Sequence, residues 1–388
     1  MKISIKYILQ LIVGLLCLFV YCEWLVYYVI LVQCDWPSIT LSNLDSTLQH
    51  NTGKPLRTMV FADTHLLGSR RGHWFDKLRR EWQMYRAFQT ALTLHRPDVV
   101  FLLGDIMDEG DYCSDDEFKY YVKRFNSLFS TPFDVKVFVV AGNHDMGFHY
   151  RVTPYLNKRF ISGFNSSAVQ FLTLRGNHFV LINSMALEGD GCFLCQSAEL
   201  QLTQIEKKLK CLKNKGNCEG DNLNYSRPIL MQHFPLYRKS DEDCNEPDEA
   251  PFPLKTKQYR EGWDCLTKGS TYQLLKQIEP RVVISGHTHY GCTRNLSNGD
   301  GIEITMPSFS WRNTNTPSYG LFVFEANNYA FSKCLMPRES TVIMCYTLGV
   351  LCLLSFPVLR KWMHQNGHKT VKNKFPKVQS TKYENLKQ

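Results

Sequence analysis

Five apolar runs along this chain of 388 residues each end in a cluster of polar, chemistry-bearing residues. Thr58 to Ala62 leads into Asp63-Thr64-His65, Val99 to Leu103 into Gly104-Asp105-Ile106-Met107-Asp108, and Val135 to Ala141 into Gly142-Asn143-His144-Asp145. Ile229 to Gln232 precedes His233, and Val282 to Ser285 precedes Gly286-His287-Thr288-His289. Short apolar runs of this kind read as buried strands, so the polar residues fall where a strand emerges into a loop. Five such ends imply a shared rim. Helical stretches alternate with the strands, among them Asp76 to His95, where Trp82, Tyr85, Phe88 and Leu92 predict a buried stripe. Further strands are predicted at Ile302 to Met306 and Leu321 to Glu325. The alternation predicts an α/β fold.

Two longer apolar runs sit near the ends. Tyr7 to Val32 is interrupted only by Gln10 and Glu23, and Thr341 to Leu359 holds 19 residues without a charge. Each matches the ~20 residues that cross a hydrocarbon core. The first lacks a small-x-small cleavage site and is expected to be a retained signal anchor. Residues 360–388 carry eight Lys or Arg against one Glu, so the tail holds +7 of the chain's formal +9. The positive-inside rule assigns this tail to the cytosol, and Lys2 and Lys6 assign residues 1–6 there too. Residues 33–340 are then lumenal, with one catalytic domain centred on 57–324. The basic balance thus reports topology and says nothing of nucleic acid, which is not expected as a partner. The tail itself is expected to be solvated, with anionic lipid headgroups within its reach.

The polar clusters have the composition of a metal site. Two divalent cations ~3.5–4 Å apart can hold both the attacking and leaving oxygens of an in-line displacement at phosphorus. Asp63 and His65 are two apart, as are His287 and His289, so on extended chain each pair projects to one side and can converge on a metal. Asp105 supplies an oxygen able to bridge, Asn143 a neutral amide oxygen, and His233 another imidazole. Asp63 and Asp105 leave about two positive charges uncompensated against two divalent cations, which attracts a phosphate ester. The pKa of held water falls toward ~7, making hydroxide the nucleophile. Lone histidines such as His95 and His178 are given no role.

These clusters, D-x-H, G-D-x-x-D, G-N-H-D, a lone His and G-H-x-H in that order, resemble the calcineurin-like metallophosphoesterase superfamily. The resemblance spans Arg57 to Phe324 and implies a two-sheet β-sandwich flanked by helices. It implies Asp63, His65, Asp105 and His289 on one metal and Asp105, Asn143, His233 and His287 on the other. It makes His144 the general acid with Asp145 as its orienting partner. The metals are typically manganese, iron or zinc, which mixed oxygen and nitrogen donors do not separate; manganese is the expectation. Purple acid phosphatases carry a tyrosine ligand where this chain has Asp108, which sets that branch aside.

The region between the spans also carries the marks of an oxidising lumen. It holds ten of the 14 cysteines and three sequons, at Asn165, Asn224 and Asn295. Cys192-Phe193-Leu194-Cys195 has the spacing of a redox or zinc pair, but no second pair accompanies it and a structural disulfide is expected. Arg70, Arg71 and Trp74, just after the first cluster, are candidate substrate contacts. So is an acidic loop holding Asp241, Glu242, Asp243, Glu246, Asp248 and Glu249, which could receive a cationic substrate group or simply be solvated.

The membrane-tethered architecture resembles the branch of this superfamily that remodels glycosylphosphatidylinositol anchors. That resemblance implies a phosphodiesterase removing ethanolamine-phosphate from the second mannose of the anchor and so aiding transport from endoplasmic reticulum to Golgi. Its implied substrates and partners are anchored proteins or the glycolipid, with cargo-export receptors besides. Its implied locations are exit sites, the intermediate compartment and Golgi membranes. Other readings are a lumenal phosphodiesterase of a phospholipid or nucleotide, and a non-catalytic binder of anchored cargo.

Overall fold

A computed structural model describes residues 5–39, 54–214, 218, 223–297 and 299–372, with side chains as far as Arg360 and at Trp362. Lys2 and most of the basic tail lie outside the described residues. The chain divides into two units, Val26–Glu339 and the terminal segments Met1–Leu25 with Ser340–Gln388.

In the larger unit the strands are β1 (Leu56–Phe61), β2 (Val99–Leu103), β3 (Lys136–Val140), β4 (Val169–Leu174), β5 (Asn177–Ile182) and β6 (Ile229–Gln232). They continue as β7 (Val282–Ser285), β8 (Cys292–Asn295), β9 (Ile302–Thr305), β10 (Ser318–Phe324) and β11 (Tyr329–Leu335). They form a five-stranded sheet of order β11-β10-β1-β2-β3 and a six-stranded sheet of order β4-β5-β6-β7-β9-β8. Strands β1, β2 and β3 run parallel, as do β5, β6, β7 and β9. Parallel strands covered on both faces read as continuous apolar runs rather than alternating ones. All five side chains of β2 are buried, as are all four of β6 and of β7. Because the strands that precede the polar clusters are parallel within each sheet, their C-terminal ends share a rim.

The two sheets face one another across a single core. Val60, Phe101 and Phe322 of one join Phe179, Met231 and Ile284 of the other in one buried cluster. Phe101 and Phe179 stack with centroids 5.2 Å apart. Truncating a ring so placed costs about 3–5 kcal/mol, through lost transfer energy and the cavity left behind. Helices Phe193–Lys213 and Lys268–Ile278 cover the outer face of the larger sheet through Ala198, Leu202, Leu274 and Ile278, packed on Val180, Leu230 and Val283. Helix Trp74–His95 lies on the other sheet, with Phe88 5.2 Å from Phe61. Its buried stripe is Met84, Ala87, Phe88, Ala91 and Leu92, whereas Trp82 and Tyr85 are only half-buried. A large ring on a helix flank can lie over the neighbouring surface without entering the core, which shifts the stripe from the one predicted.

Four disulfides join Cys34 to Cys334, Cys192 to Cys195, Cys211 to Cys218 and Cys244 to Cys292. The first closes a loop of 300 residues, long enough for a loop-entropy contribution of roughly 6 kcal/mol. Cys113 and Cys265 are buried thiols. Ile5–Leu31 and Glu339–Arg360 are helical segments long and apolar enough to cross a membrane. There Gly14 faces Leu353, Gly349 faces Leu18, and Tyr346 donates a 2.6 Å hydrogen bond to Glu23. Small residues at the contact and an internally satisfied carboxyl suit helices packed in lipid.

Candidate metal centre

All five polar clusters meet at the rim. The ligand atoms of Asp63, His65 and His289 lie within 4.8 Å of one another, as do those of Asp105, His233 and His287. Asp105 joins the two groups: its Oδ2 is 3.5 Å from His65 Nε2 and 3.3 Å from His233 Nε2. Asn143 Oδ1 lies 3.2 Å from His233 Nε2. The residues expected from sequence at both metals are therefore in one place.

Local backbone geometry differs from the expectation. Asp63, His65, Asp105, His287 and His289 all have positive φ, from 45° to 74°. The D-x-H and G-H-x-H pairs do not converge by strand alternation. Each pair is set by two left-handed residues in a tight loop, a conformation that costs energy in non-glycine residues and clusters at functional sites. Gly104 sits at φ 86° against His233 and the Gly142 backbone, where a Cβ would come within 2.8 Å of both.

Each donor has one face tied down and one left open. Asp63 Oδ2 accepts from the His287 backbone N–H at 2.9 Å, while Asp63 Oδ1 is buried with no hydrogen-bond partner. Asp105 Oδ1 accepts from the His144 N–H at 2.8 Å, leaving Oδ2 between the groups. His233 Nδ1 donates to the Leu103 carbonyl at 2.6 Å and His287 Nε2 to the Trp263 carbonyl at 2.7 Å, so His287 Nδ1 carries a lone pair and His233 Nε2 is the nitrogen that can ligate once its proton leaves. His65 Nδ1 donates to Asp108 at 3.1 Å, freeing Nε2. Such outer contacts fix the tautomer a metal-ligating histidine needs. The orphaned Asp63 oxygen and the converging imidazole nitrogens fit two divalent cations.

Titration behaviour follows from this crowding. Burial pulls the His65 imidazole down, but its bonds to Asp108 and Asp63 and the Asp105 charge lift it to about 10. Burial likewise opposes His233, which Asp105 and Asp63 raise to about 9. Burial and the charge of His233 push His287 down to about 3, and burial lowers His289 to about 4. Against the penalty of burial, the imidazolium charges hold Asp105 well below the usual carboxylate range. Without metal, two imidazolium charges stand where cations would.

His144 is one-third exposed, its ring 4.8 Å from that of His65. Its Nδ1 donates to the Asp108 carbonyl oxygen at 3.2 Å and lies 3.6 Å from the Asp108 carboxylate. Asp145 is not its orienting partner. That carboxylate accepts from the Gly142 and Met107 N–H groups at 2.8 and 3.1 Å and braces the two loops against each other. Burial, then the Asp105 charge, pushes Asp145 up to about 7. Asp108 takes the orienting role and is itself held by Arg312 at 2.8 Å. The G-D-x-x-D pattern contained Asp108; Arg312 lies in no motif, and only the fold brings it there.

The candidate substrate residues Arg70, Arg71 and Trp74 make their contacts outside the two ligand groups. Arg70 pairs with Glu109 and Glu117 at 3.5 and 3.3 Å, and the Arg70 and Arg71 N–H groups both donate to Glu109. Trp74 is exposed and packs on His73 and Phe75. Among the described residues, no hydrogen bond joins any of the three to a metal-site residue. Beside the centre instead lies a cavity of about 310 Å³, lined by Tyr259, Asp264, Thr288 and Tyr290 with His287 and His289. Near it Trp263, whose carbonyl orients His287, packs with Phe148 and Tyr150 at 4.7 and 5.5 Å, and Tyr150 is exposed.

Carboxylates and imidazoles converging at a strand rim, with a partly exposed histidine beside them, define a metal-dependent phosphoester hydrolase. Residues 56–291 match the family model described as calcineurin-like phosphoesterase, and the chain belongs to that family. It is 46% identical over 341 residues to Metallophosphoesterase 1 of Ailuropoda melanoleuca, covering 86% of this chain and 85% of that one. With Metallophosphoesterase 1 of Danio rerio it shares 40% identity over 369 residues and 94% of both chains. Among solved structures, the chain is similar to GAP50, the anchor in the inner membrane complex of Plasmodium, at 12% identity and a TM-score of 0.45, covering 76% and 94%.

Proposed function

We propose that this protein is a two-metal phosphodiesterase of the secretory-pathway lumen that removes ethanolamine-phosphate from the second mannose of glycosylphosphatidylinositol anchors and so aids their transport to the Golgi. The observation that carries the hydrolytic part is the pair of ligand groups sharing Asp105 Oδ2. Two apolar terminal helices support anchoring on either side of the catalytic unit. The disulfides and the exposure of Asn165, Asn224 and Asn295 support a lumenal placement with both termini cytosolic. The aromatic group of Phe148, Tyr150 and Trp263 offers flat faces on which a sugar ring can lie.

In this reading Asp63, His65, Asp105 and His289 hold one cation and Asp105, Asn143, His233 and His287 the other, with manganese the occupant. Bound there, the cations supply charge for the phosphoryl oxygens and activate water for attack at phosphorus. The protein's own part is to orient and to move a proton. With Nδ1 committed to the Asp108 carbonyl, His144 Nε2 is the nitrogen that protonates the departing alkoxide.

The test incubates the metal-loaded chain, and its His144→Ala variant, with an anchor glycan bearing ethanolamine-phosphate and follows the product by mass. Loss of one ethanolamine-phosphate with wild type alone is expected. Retention of the group while the same preparation cleaves a bis-aryl phosphate would refute the anchor substrate and keep the enzyme.

A further inference from the structure

We propose that the first turns of helix Trp74–His95 rest in the headgroup layer of the membrane that the two apolar helices cross, with Trp74, Phe75 and Leu78 entering it. These side chains are 68, 53 and 59% exposed. Spaced i, i+1 and i+4, they share one side of the helix. Large apolar groups exposed singly need no explanation, but three together beside cations have the make-up of an interfacial helix end. Arg71 precedes them, Lys77 lies among them, and the acid there, Asp76, is matched by Arg80 at 3.4 Å. Lipid phosphates suit those cations, and an indole ring suits this depth.

The position of the helix follows from its contacts with the ends of the apolar segments. Glu339, the first residue of Glu339–Arg360, is held by Arg79 at 2.8 Å and Arg80 at 2.9 Å. Val26–Leu31, the last turns of the other segment, pack on the same helix, with Val26, Tyr27 and Leu31 buried. Beyond Leu31, Trp36 donates its Nε1–H to the His95 carbonyl at 2.9 Å. The C-terminal end of the helix is thus tied to chain that has already left its apolar segment, and Arg79 and Arg80 to the residue where the other begins. Trp74 lies about 7.5 Å further along at ~1.5 Å per residue, so the exposed end points toward the bilayer.

Seated there, the helix holds the metal rim near the membrane. His65 precedes Trp74 by nine residues, so the chain between a metal ligand and the headgroups spans about 30 Å at most. Esters carried on lipids are then presented to the rim from the plane in which the protein itself is held. This inference rests on the two apolar helices crossing a membrane, and not on the identity of the ester cleaved.

The test places the full chain in nanodiscs of phosphatidylcholine and phosphatidylserine, with and without bromine on the acyl carbons nearest the headgroups. Tryptophan fluorescence is read by difference against Trp74→Phe, Trp24→Phe and Trp263→Phe. The Trp74 share is expected to fall roughly twofold or more with bromine and to resist iodide in the water. The Trp263 share should ignore bromine. Trp24, within Ile5–Leu31, reports whether that segment is in the bilayer. Phe75→Glu/Leu78→Glu should open Trp74 to iodide while hydrolysis of a water-soluble bis-aryl phosphate stays unchanged. Trp24 quenched by bromine while Trp74 stays open to iodide overturns the surface contact and keeps the spans. Trp74 shielded from iodide yet untouched by bromine identifies a protein contact and equally overturns it. Neither indole quenched by bromine overturns the spans as well.

Discussion

The metal centre and the loop holding Asp241 to Glu249 are both rich in carboxylates, and some of these are buried to the same depth. Asp63 and Asp105 are 0 and 1% exposed, Asp241 and Asp248 both 1%. What separates them is the source of the counter-charge. Asp241 faces Arg238 at 2.7 Å, Glu246 and Asp248 share Lys333, and Glu249 holds Lys255 at 2.6 Å. The loop's acid is cancelled by the chain's own fixed cations, leaving Glu242 and Asp243 exposed among the six. At the centre, Asp63 and Asp105 face imidazoles, whose charge is a proton and can be exchanged for a metal. A buried carboxylate marks a ligand site where its partner can leave, and a structural site where its partner cannot.

The largest effect that sharpens this comparison is at Asp105. Asp105→Asn removes the oxygen shared by both ligand groups, and turnover of a bis-aryl phosphate should fall roughly 10³-fold or more, with metal content falling alongside. In the loop the same kind of cut should strike folding. Arg238→Ala leaves Asp241 buried without its cation, while Glu303 keeps Arg294 at 2.9 Å, and denaturant unfolding should show a loss of about 3–5 kcal/mol while metal binding persists.

Acidity should then separate proton-held from lysine-held carboxylates. In the metal-free protein, His65 and His233 are raised from 6.5 to about 10 and about 9. Their contribution to stability is therefore complete below pH 6.5 and is lost as pH rises through 9 to 10. Cations must displace those protons, so metal affinity runs the opposite way. Titration calorimetry between pH 7 and 9 should find affinity rising about tenfold per unit for each proton displaced. An affinity flat with pH would break the comparison.

Smaller effects test the margins. Asp108→Asn weakens the hold on His65 Nδ1 and should cost about 10–100-fold in metal affinity or activity. Glu242→Gln with Asp243→Asn should leave stability within about 0.5 kcal/mol and turnover unchanged. A marked loss of turnover would return the loop to the role of cation receiver.

Much of this was legible in the sequence because strands covered on both faces are unbroken apolar runs, and because the metal donors sit directly after them. The runs ending at Leu103, Gln232 and Ser285 end as β2, β6 and β7 do. What stayed hidden depends on contacts across long separations or on backbone dihedrals. Lys333 reaches Glu246 from 87 residues away, and Arg312 reaches Asp108 from 204. The left-handed turns at Asp63 and His65 leave no mark in residue type, since glycine would be the usual signal. Asp145 directly follows His144 whereas Asp108 lies 36 residues before it, so sequence favours the neighbour as orienting partner, and only hydrogen bonding assigns Asp145 to bracing and Asp108 to orientation.

One rim should bind two cations through the shared Asp105 and hydrolyse phosphoesters with them. The direct measurement titrates metal-free chain with manganese while following both bound metal and bis-aryl phosphate hydrolysis. Activity should rise to a plateau at two equivalents bound by the wild-type centre, with neither binding nor hydrolysis in Asp105→Asn. Hydrolysis that needs no metal, or that persists with Asp105→Asn, would contradict it.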